Sequence, residues 1–386
     1  MGHIRRSFHI IQALSERLPN SALLLISGSP ILHMFKDLPP NADYVKIPTV
    51  VKTGAPGSQP AHLPLAVSEI TSLRTQIIRQ TVLGFDPDVL VVDNFPLGSS
   101  SELLPTLKEV KRSAKIILGI RDIIDAPEIV RADWQKLGIY DVLDRYYDLI
   151  LVYGSQQVFD VADAYAIPAT IARKIRYCGY LTDTNQLRED PEQVRKELGI
   201  EGSLIVVTGG GGGDAFPLLS TFLQALPLLE KTSALLVLGP MMGATDRVEL
   251  QKLAAGNPNV ILRDFVPDLP RFISACDLVV SMCGYNLAAE IVMHQPRAVV
   301  VPRTWRYGEH TNRANTIEER EQIIRAQSLS KLGLVVLLEP ENLDPEHLAE
   351  KITEALQKSK PAPANLNVRG LDAAVSYIQE MAVRET

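Results

Sequence analysis

The sequence predicts an α/β protein built from two doubly wound domains. The chain has 386 residues, which is more than one typical hydrophobic core needs. Ten short apolar, β-branched runs alternate with helical patterns, as expected for parallel strands that are buried on both faces. The alternation is interrupted once, by the polar stretch 179–200. These three observations favour two units of alternating strands and helices, joined by a linker.

The ten predicted strands set the domain boundaries. They cover residues 22–27, 88–93, 115–120, 148–154, 203–209, 233–239, 259–265, 277–282, 297–302 and 334–339. We therefore predict an N-terminal domain at 1–178, a linker at 179–200 and a C-terminal domain at 201–360. Residues 361–386 are predicted to form a Pro-rich spacer and a final helix that packs back on the N-terminal domain. The Pro- and Gly-rich stretch 48–64 is predicted to be a mobile loop.

Composition excludes several classes of protein. Charged residues make up 22% and the formal net charge is -6, which argues against a nucleic-acid partner held by phosphate contacts. The three cysteines form no CxxC pair, so a disulfide framework or a zinc site is not expected, and a cytoplasmic location fits best. Every apolar run is much shorter than the roughly 20 residues that span a bilayer. We expect any membrane contact to be peripheral, at the inner face.

Three stretches of the C-terminal half carry candidate binding residues. Five glycines at 209–213 follow a strand and precede a helix, where Gly210, Gly211 and Gly212 would let backbone N–H groups approach a phosphate. The strand at 277–282 likewise leads into a helix start at Gly284, Tyr285 and Asn286. The alternative for the glycine loop is a flexible turn between strand and helix that binds no ligand.

Two further features belong to the same edge of the predicted sheet. Glu290 lies one turn into the helix after strand 277–282, where a carboxylate suits a ribose but also a helix dipole. The loop after strand 297–302 carries Glu309, His310 and Asn312, which could bind sugar hydroxyls or form a solvated helix start. Because the carboxyl ends of parallel strands meet at one edge, these stretches are expected to converge on one ligand.

The N-terminus poses a separate question, because the pair Gly2-His3 lies at the start of an amphipathic helix with no strand before it. Taken alone, His3 would be a mobile, solvated terminal residue.

Residues 263–315 resemble a known family. The segment from "RDFVPDL" to "GEHTNRAN" is similar to the C-terminal domain of family 28 glycosyltransferases, which includes the lipid II-forming N-acetylglucosaminyltransferases and the monogalactosyldiacylglycerol synthases. The start "GHIRRS" resembles a bacterial group of predicted glycosyltransferases that begin with a "GLGHIRR"-like motif. The resemblance implies the GT-B fold, in which two Rossmann-like domains face a cleft.

The resemblance also implies roles for the donor-side residues. A nucleotide diphosphate sugar would place its phosphates against the glycine loop and the helix start at Gly284, with Glu290 on the ribose. Phe265 and Val266 match the loop beside the base. Glu309 and His310 match the loop that contacts the donor sugar, although "GEH" replaces the more usual Asp-Gln or Gln-Gln pair.

On the acceptor side, the resemblance implies that His3 is the general base, a task suited to a side chain that titrates near neutrality. Arg5 and Arg6 would meet an anionic acceptor, and Arg121 and Asp122 lie at a strand end on the same cleft. No metal or cofactor is implied, because helix dipoles and backbone N–H groups would stabilise the leaving diphosphate. The family would place a strand before the Gly-His motif. We therefore expect a longer natural product, with strands 22–27 and 88–93 left exposed here.

The sequence thus predicts a metal-independent, inverting glycosyltransferase that moves a hexose or N-acetylhexosamine from a nucleotide sugar, preferably UDP-type, to a hydroxyl. The acceptor is expected to be a lipid or a membrane-associated molecule. Two alternatives stay open. One is a nucleotide-sugar epimerase or hydrolase using carboxylates such as Asp93, Asp122 or Asp125, and the other is a non-catalytic nucleotide-sugar-binding protein.

Overall fold

The computed structural model describes residues 2–34, 38–52, 58–182, 190–200, 202–303, 320–361 and 366–382. The strands are β1 (Leu23–Ser27), β2 (Ala42–Lys46), β3 (Val50–Lys52), β4 (Ser58–Pro60), β5 (Val89–Asp93), β6 (Lys115–Arg121), β7 (Leu149–Tyr153), β8 (Ile175–Tyr177), β9 (Ser203–Thr208), β10 (Thr232–Val237), β11 (Val260–Arg263), β12 (Leu278–Ser281), β13 (Arg297–Val300) and β14 (Val336–Leu337). The helices are α1 (Gly2–Arg17), α2 (Val67–Phe85), α3 (Leu104–Val110), α4 (Pro127–Lys136), α5 (Ile139–Tyr146), α6 (Val161–Ala164), α7 (Ala169–Ala172), α8 (Pro191–Glu197), α9 (Phe216–Ala225), α10 (Ala244–Ala254), α11 (Leu269–Ala275), α12 (Tyr285–His294), α13 (Glu321–Lys331), α14 (Pro345–Gln357) and α15 (Gly370–Ala382).

The chain forms two compact units, residues 1–181 with 369–386, and residues 182–368. Helix α8 falls inside the stretch predicted as a linker, yet it packs against α11 of the second unit. Its Arg195 also donates to the carboxylate of Asp277 at 2.9 Å. Helix α15 belongs to the first unit, where it contacts α1 and where Arg17 pairs with Asp372 at 3.2 Å.

The second unit is built on one parallel sheet of six strands, in the order β11-β10-β9-β12-β13-β14. Counted along this unit, the order is 3-2-1-4-5-6, the arrangement of a Rossmann fold. The strand order reverses between β9 and β12, where ligands bind outside the carboxyl ends of such sheets. The sheet topology therefore fixes where a ligand would lie before any side chain is considered.

Apolar side chains hold this sheet between its helices. The side chains of β9 from Leu204 to Val207 are fully buried, as are those of β12. Helix α9 packs Leu219 and Phe222 into the same cluster, to which α14 adds Leu348 and Ile352. At about 25 cal/mol per Å² of buried apolar surface, such a cluster is the main stabilising contribution of this unit.

The first unit contains two separate parallel sheets, β1-β2 and β5-β6-β7-β8. Ile26 and Val45 from the smaller sheet pack on the same cluster as Ile116 and Val152 of the larger one. The apolar cluster is therefore shared by both sheets, although no backbone hydrogen bonds between the described strands join the two sheets.

The two strands predicted to be exposed are the least covered of this unit's apolar strands. Every side chain of β1 is half-buried and Val91 of β5 is exposed, whereas every side chain of β7 is buried. Within the described residues, β1 pairs with β2 and β5 pairs with β6, so each lies at an edge of its sheet.

The stretch 48–64 was predicted to be a loop, and this is wrong for six of its residues. Strands β3 and β4 form an antiparallel pair in which Val50 lies opposite Pro60. The β-branched pair Val50-Val51 favours an extended backbone. Proline is tolerated at position 60 because a two-stranded pair has an outer edge, where the missing N–H costs nothing.

Candidate functional site

The N-terminal helix brings His3 to the carboxyl end of β5. His3 Nδ1 lies 2.7 Å from Asp93 Oδ2, and Asp93 is the last residue of that strand. Arg6, one turn further along α1, donates to Asp93 Oδ1 from Nε at 3.0 Å and from a terminal nitrogen at 2.7 Å. The result is a three-residue cluster in which one carboxylate receives hydrogen bonds from both neighbours.

The electrostatics of the cluster keep Asp93 ionised. Burial alone raises the pKa of the Asp93 carboxyl, but the charge of Arg6 and the hydrogen bond from His3 outweigh it, and the pKa lies below its usual range. The Arg6 guanidinium is buried over the ring of Tyr153, 5.2 Å from its centroid. His3 Nδ1 lies 2.7 Å from Asp93 Oδ2 and 2.9 Å from a terminal nitrogen of Arg6. In the tautomer whose Nδ1–H donates to the Asp93 carboxylate, Nε2 is the basic nitrogen.

His3 itself is accessible, with 47% of its side chain exposed. Its ring stands 6.2 Å from that of Phe95, so one side of the imidazole is flanked by an aromatic residue. An exposed histidine whose other nitrogen is held by a carboxylate has the arrangement of a general base.

The other predicted acceptor-side residues differ in their burial and in their hydrogen-bond partners. Arg6 supports Asp93, whereas Arg5 is half-buried elsewhere on α1. Asp122 is fully buried, and its carboxylate accepts from the Ile123 N–H and from the Tyr180 hydroxyl at 3.1 Å. This burial argues against the predicted contact of Asp122 with an acceptor. Arg121 is half-buried at the end of β6.

In the second unit, the glycine loop follows β9 at the point where the strand order reverses. Gly212 has a φ of +89°, and a Cβ there would lie 2.1 Å from the carbonyl oxygen of Leu238, so this glycine is required for packing. Gly210 and Gly211 face open space, apart from the Met241 sulfur near Gly211. The loop therefore divides into one glycine that packs and two that leave room for a ligand.

Helix α12 begins on the other side of the reversal point, with Gly284 as its N-cap. Tyr285 is buried, so Asn286 is the more accessible of the two predicted first-turn contacts. Glu290 lies one turn further on, and His294 Nε2 is 3.4 Å from its carboxylate. This histidine was not predicted, although its i+4 spacing from Glu290 is visible in the sequence.

The predicted base-side residues follow β11. Phe265 is 52% exposed and Val266 is half-buried, which leaves an apolar ring open for stacking. Glu309, His310 and Asn312 lie outside the described residues. Their predicted contact with a donor sugar stays a prediction.

A polar network that the sequence did not reveal joins β12, β13 and the glycine loop. Gln322 Oε1 accepts from the backbone N–H of Cys283 at 3.1 Å and from that of Arg303 at 3.2 Å. The Arg303 guanidinium in turn donates to the carboxylate of Asp214, the residue directly after the five glycines. Arg303 lies inside the segment that resembles the family, but only the tertiary fold shows that it meets Asp214 and Gln322.

Two features are absent from the described part of the chain. Among the described residues, no group of three or more His, Cys, Asp or Glu side chains could hold a metal ion. Within the same part of the chain, no helix is both long and apolar enough to cross a membrane.

Comparison with known proteins identifies a similar domain and similar relatives. Residues 204–376 match the Glycosyltransferase family 28 C-terminal domain, and this segment contains the glycine loop, α12 and Arg303. The chain is 25% identical over 205 residues to the UDP-N-acetylglucosamine--N-acetylmuramyl-(pentapeptide) pyrophosphoryl-undecaprenol N-acetylglucosamine transferase of Exiguobacterium sibiricum, covering 52% of each chain. It is 30% identical over 155 residues to the protein of the same name from Anaeromyxobacter sp. (strain K), covering 39% of this chain and 37% of the relative. The chain thus matches about half, or less, of the length of these relatives.

The likeness in fold extends over nearly the whole chain. The crystal structure of Acinetobacter baumannii MurG matches with a TM-score of 0.62 at 14% identity, over 98% of this chain and 96% of that one. At this identity the match establishes the fold, which is that of the GT-B glycosyltransferases. The chain therefore has the GT-B fold, and its residues 204–376 match the glycosyltransferase family 28 C-terminal domain.

Proposed function

We propose that this protein transfers a hexose or N-acetylhexosamine from a nucleotide diphosphate sugar to an acceptor hydroxyl, with inversion and without a metal ion. One observation carries the proposal: the family 28 match contains the point where the strand order of the six-stranded sheet reverses. Gly210 and Gly211 lie on one side of this point, and the start of α12 lies on the other. Such an arrangement suits a ligand with two phosphates.

The donor would be held by the second unit. Backbone N–H groups at Gly210, Gly211 and the first turn of α12 would meet the diphosphate, with Glu290 on the ribose hydroxyls and Phe265 against the base. The curated relatives bear a name that specifies UDP-N-acetylglucosamine as donor and an undecaprenol-linked acceptor. We extend this to a UDP-type donor and a lipid-linked acceptor, used by a cytoplasmic protein at the inner face of the membrane.

The proposed reaction is a single displacement. The acceptor oxygen bonds to the anomeric carbon as the bond from that carbon to the phosphate oxygen breaks, which inverts the centre. The hydroxyl proton goes to Nε2 of His3, and the nucleoside diphosphate leaves with the electron pair. Asp93 would stabilise the imidazolium that forms, because its carboxylate lies 2.7 Å from Nδ1.

Donor binding tests the proposal at its first step. Titration calorimetry with UDP-N-acetylglucosamine, UDP-glucose, and GDP- and TDP-sugars should show saturable binding of a UDP-sugar. Glu290→Ala should weaken that binding about tenfold or more, since a carboxylate that accepts from hydroxyls contributes about 1.5–3 kcal/mol. Absence of binding for every nucleotide sugar would contradict the proposed function.

A further inference from the structure

The ion pair between Arg303 and Asp214 lies at the place proposed for the donor's phosphates. Asp214 directly follows the glycine loop, and Arg303 follows β13. The Arg303 side chain is partly accessible, with 20% of its surface exposed. A guanidinium is the side-chain group best suited to binding a phosphate through two parallel hydrogen bonds.

The rest of the network holds Arg303 in position independently of Asp214. Its backbone N–H donates to Gln322 Oε1 at 3.2 Å, and its guanidinium lies 3.9 Å from the carboxylate of Glu321. Glu321 and Gln322 begin α13, so both contacts come from one rigid element. Loss of Asp214 would therefore leave the Arg303 backbone hydrogen-bonded to Gln322 and its guanidinium beside Glu321.

The same network reaches the start of α12. Gln322 Oε1 also accepts from the Cys283 N–H at 3.1 Å, and Arg325 donates to the Cys283 carbonyl at 2.8 Å. Cys283 directly precedes the N-cap Gly284. The side chains that fix Arg303 thus also fix the second proposed phosphate contact.

We propose that Arg303 is the cation that binds the donor's diphosphate, and that Asp214 is an internal anion which occupies this cation until the donor replaces it. The inference rests on the proposed function. Among the described side chains of this network, the charges of Arg303 and Arg325 formally balance those of Asp214 and Glu321. When the diphosphate takes over Arg303, the Asp214 carboxylate is released and the glycine loop before it loses its tether to β13.

This proposal predicts that substitution of Arg303 weakens the binding of UDP and that substitution of Asp214 strengthens it. Arg303→Gln should lower the affinity for UDP by about ten- to a hundredfold, the effect of losing a hydrogen-bonded charge. Asp214→Asn should raise the affinity for UDP, by up to about fivefold, because a competing anion at a partly exposed pair is removed. A purely structural ion pair would instead make both substitutions weaken binding.

The matched control is the ion pair of Arg195 with Asp277, at the amino end of β12 and hence at the opposite edge of the same sheet. Arg195→Gln and Asp277→Asn should leave the affinity for UDP unchanged. Uridine provides a second control, because it lacks phosphates and its affinity should be the same in Arg303→Gln as in the wild type. This comparison also shows that the base and ribose contacts survive in the variant.

The experiment is titration calorimetry of the full chain with UDP and with uridine. Weaker UDP binding in Arg303→Gln with tighter binding in Asp214→Asn supports the proposal. Unchanged UDP affinity in Arg303→Gln, or weakened binding in both variants, overturns the proposal while the transferase function stands. Failure of the wild-type protein to bind any nucleoside diphosphate overturns both.

Discussion

At the scale of single residues, His3 and Asp93 show what tertiary structure adds to the sequence. The sequence predicts His3 at the start of a helix, and it offers Asp93 only as one of several carboxylates that an epimerase would use. The structure joins the two at 2.7 Å, with Arg6 completing the cluster. Because the partners are 90 residues apart, no local pattern could have predicted their contact.

The pKa of Asp93 leads to a prediction about acid stability. Its pKa is lower in the folded state than the ordinary value near 4, so the ionised form stabilises the folded protein. That contribution is complete above the unfolded pKa and is lost as the pH falls through the folded pKa. Asp93→Asn should therefore be less stable than the wild type at pH 6, and the difference should shrink towards pH 3.

Urea unfolding of both proteins at a series of pH values measures this difference. Asp86→Asn, at the left-handed C-cap of α2, is the control. A difference between wild type and Asp93→Asn that stays constant down to pH 3 would contradict the assigned ionisation.

At the scale of elements, the glycine loop contains one glycine that is needed for packing, Gly212, and one whose Cβ position is unobstructed, Gly211. Substitution of each by alanine distinguishes these two roles. Gly212→Ala should destabilise the protein by at least about 1–3 kcal/mol, because alanine is strained at a φ of +89° and its Cβ meets the Leu238 carbonyl. Gly211→Ala should change the free energy of unfolding by less than about 0.5 kcal/mol, since its Cβ has room. Thermal unfolding of the two variants provides the comparison, and equal destabilisation would contradict the division of the loop.

Helix α2 offers a second matched pair. Glu102 is buried and accepts from Arg74 of α2 at 2.6 Å, whereas Glu109 is exposed and accepts from Arg79 of the same helix at 2.8 Å. Glu102→Ala should cost about 3–5 kcal/mol, because it leaves a buried guanidinium unpaired. Glu109→Ala should cost at most about 1 kcal/mol. Denaturant unfolding measures both losses in the free energy of unfolding. Similar losses in the two variants would contradict the claim that burial determines how much each ion pair contributes.

Much of the element structure was predictable, and the exceptions have physical reasons. Each of the ten apolar runs contains a strand. Six of these strands, β6, β7, β9, β10, β12 and β13, lie in the middle of a parallel sheet, the environment that continuous β-branched segments suit. Strand β2, "ADYVK", went unpredicted because it has exposed residues and lacks an apolar run. The β3-β4 pair was missed because its prolines and glycines are typical of loops. The contacts of Arg303 and Gln322 could not be predicted, because a hydrogen-bond network between separate elements has no local pattern in the sequence.

At the scale of the whole molecule, the last helix completes the first unit. Helix α15 buries Ala374, Val375 and Ile378 and contacts β5, β6 and β7. Val375→Asp would place a charge in this interface, so hydrogen exchange should accelerate in β5, β6 and β7. Exchange in β9 and β12 of the second unit should stay as in the wild type. Equal acceleration in both units would contradict the assignment of α15 to the first unit.

The central claim is that the protein uses a nucleotide sugar as donor and His3 as base. The most direct measurement is release of UDP from UDP-N-acetylglucosamine, with and without a polyprenyl-diphosphate-linked sugar as acceptor, for the wild type and for His3→Ala. We predict release that depends on the acceptor, an inverted linkage in the product, and a loss of about 100- to 10,000-fold in His3→Ala with donor binding retained. Release or epimer formation without an acceptor, or full activity in His3→Ala, would contradict the claim.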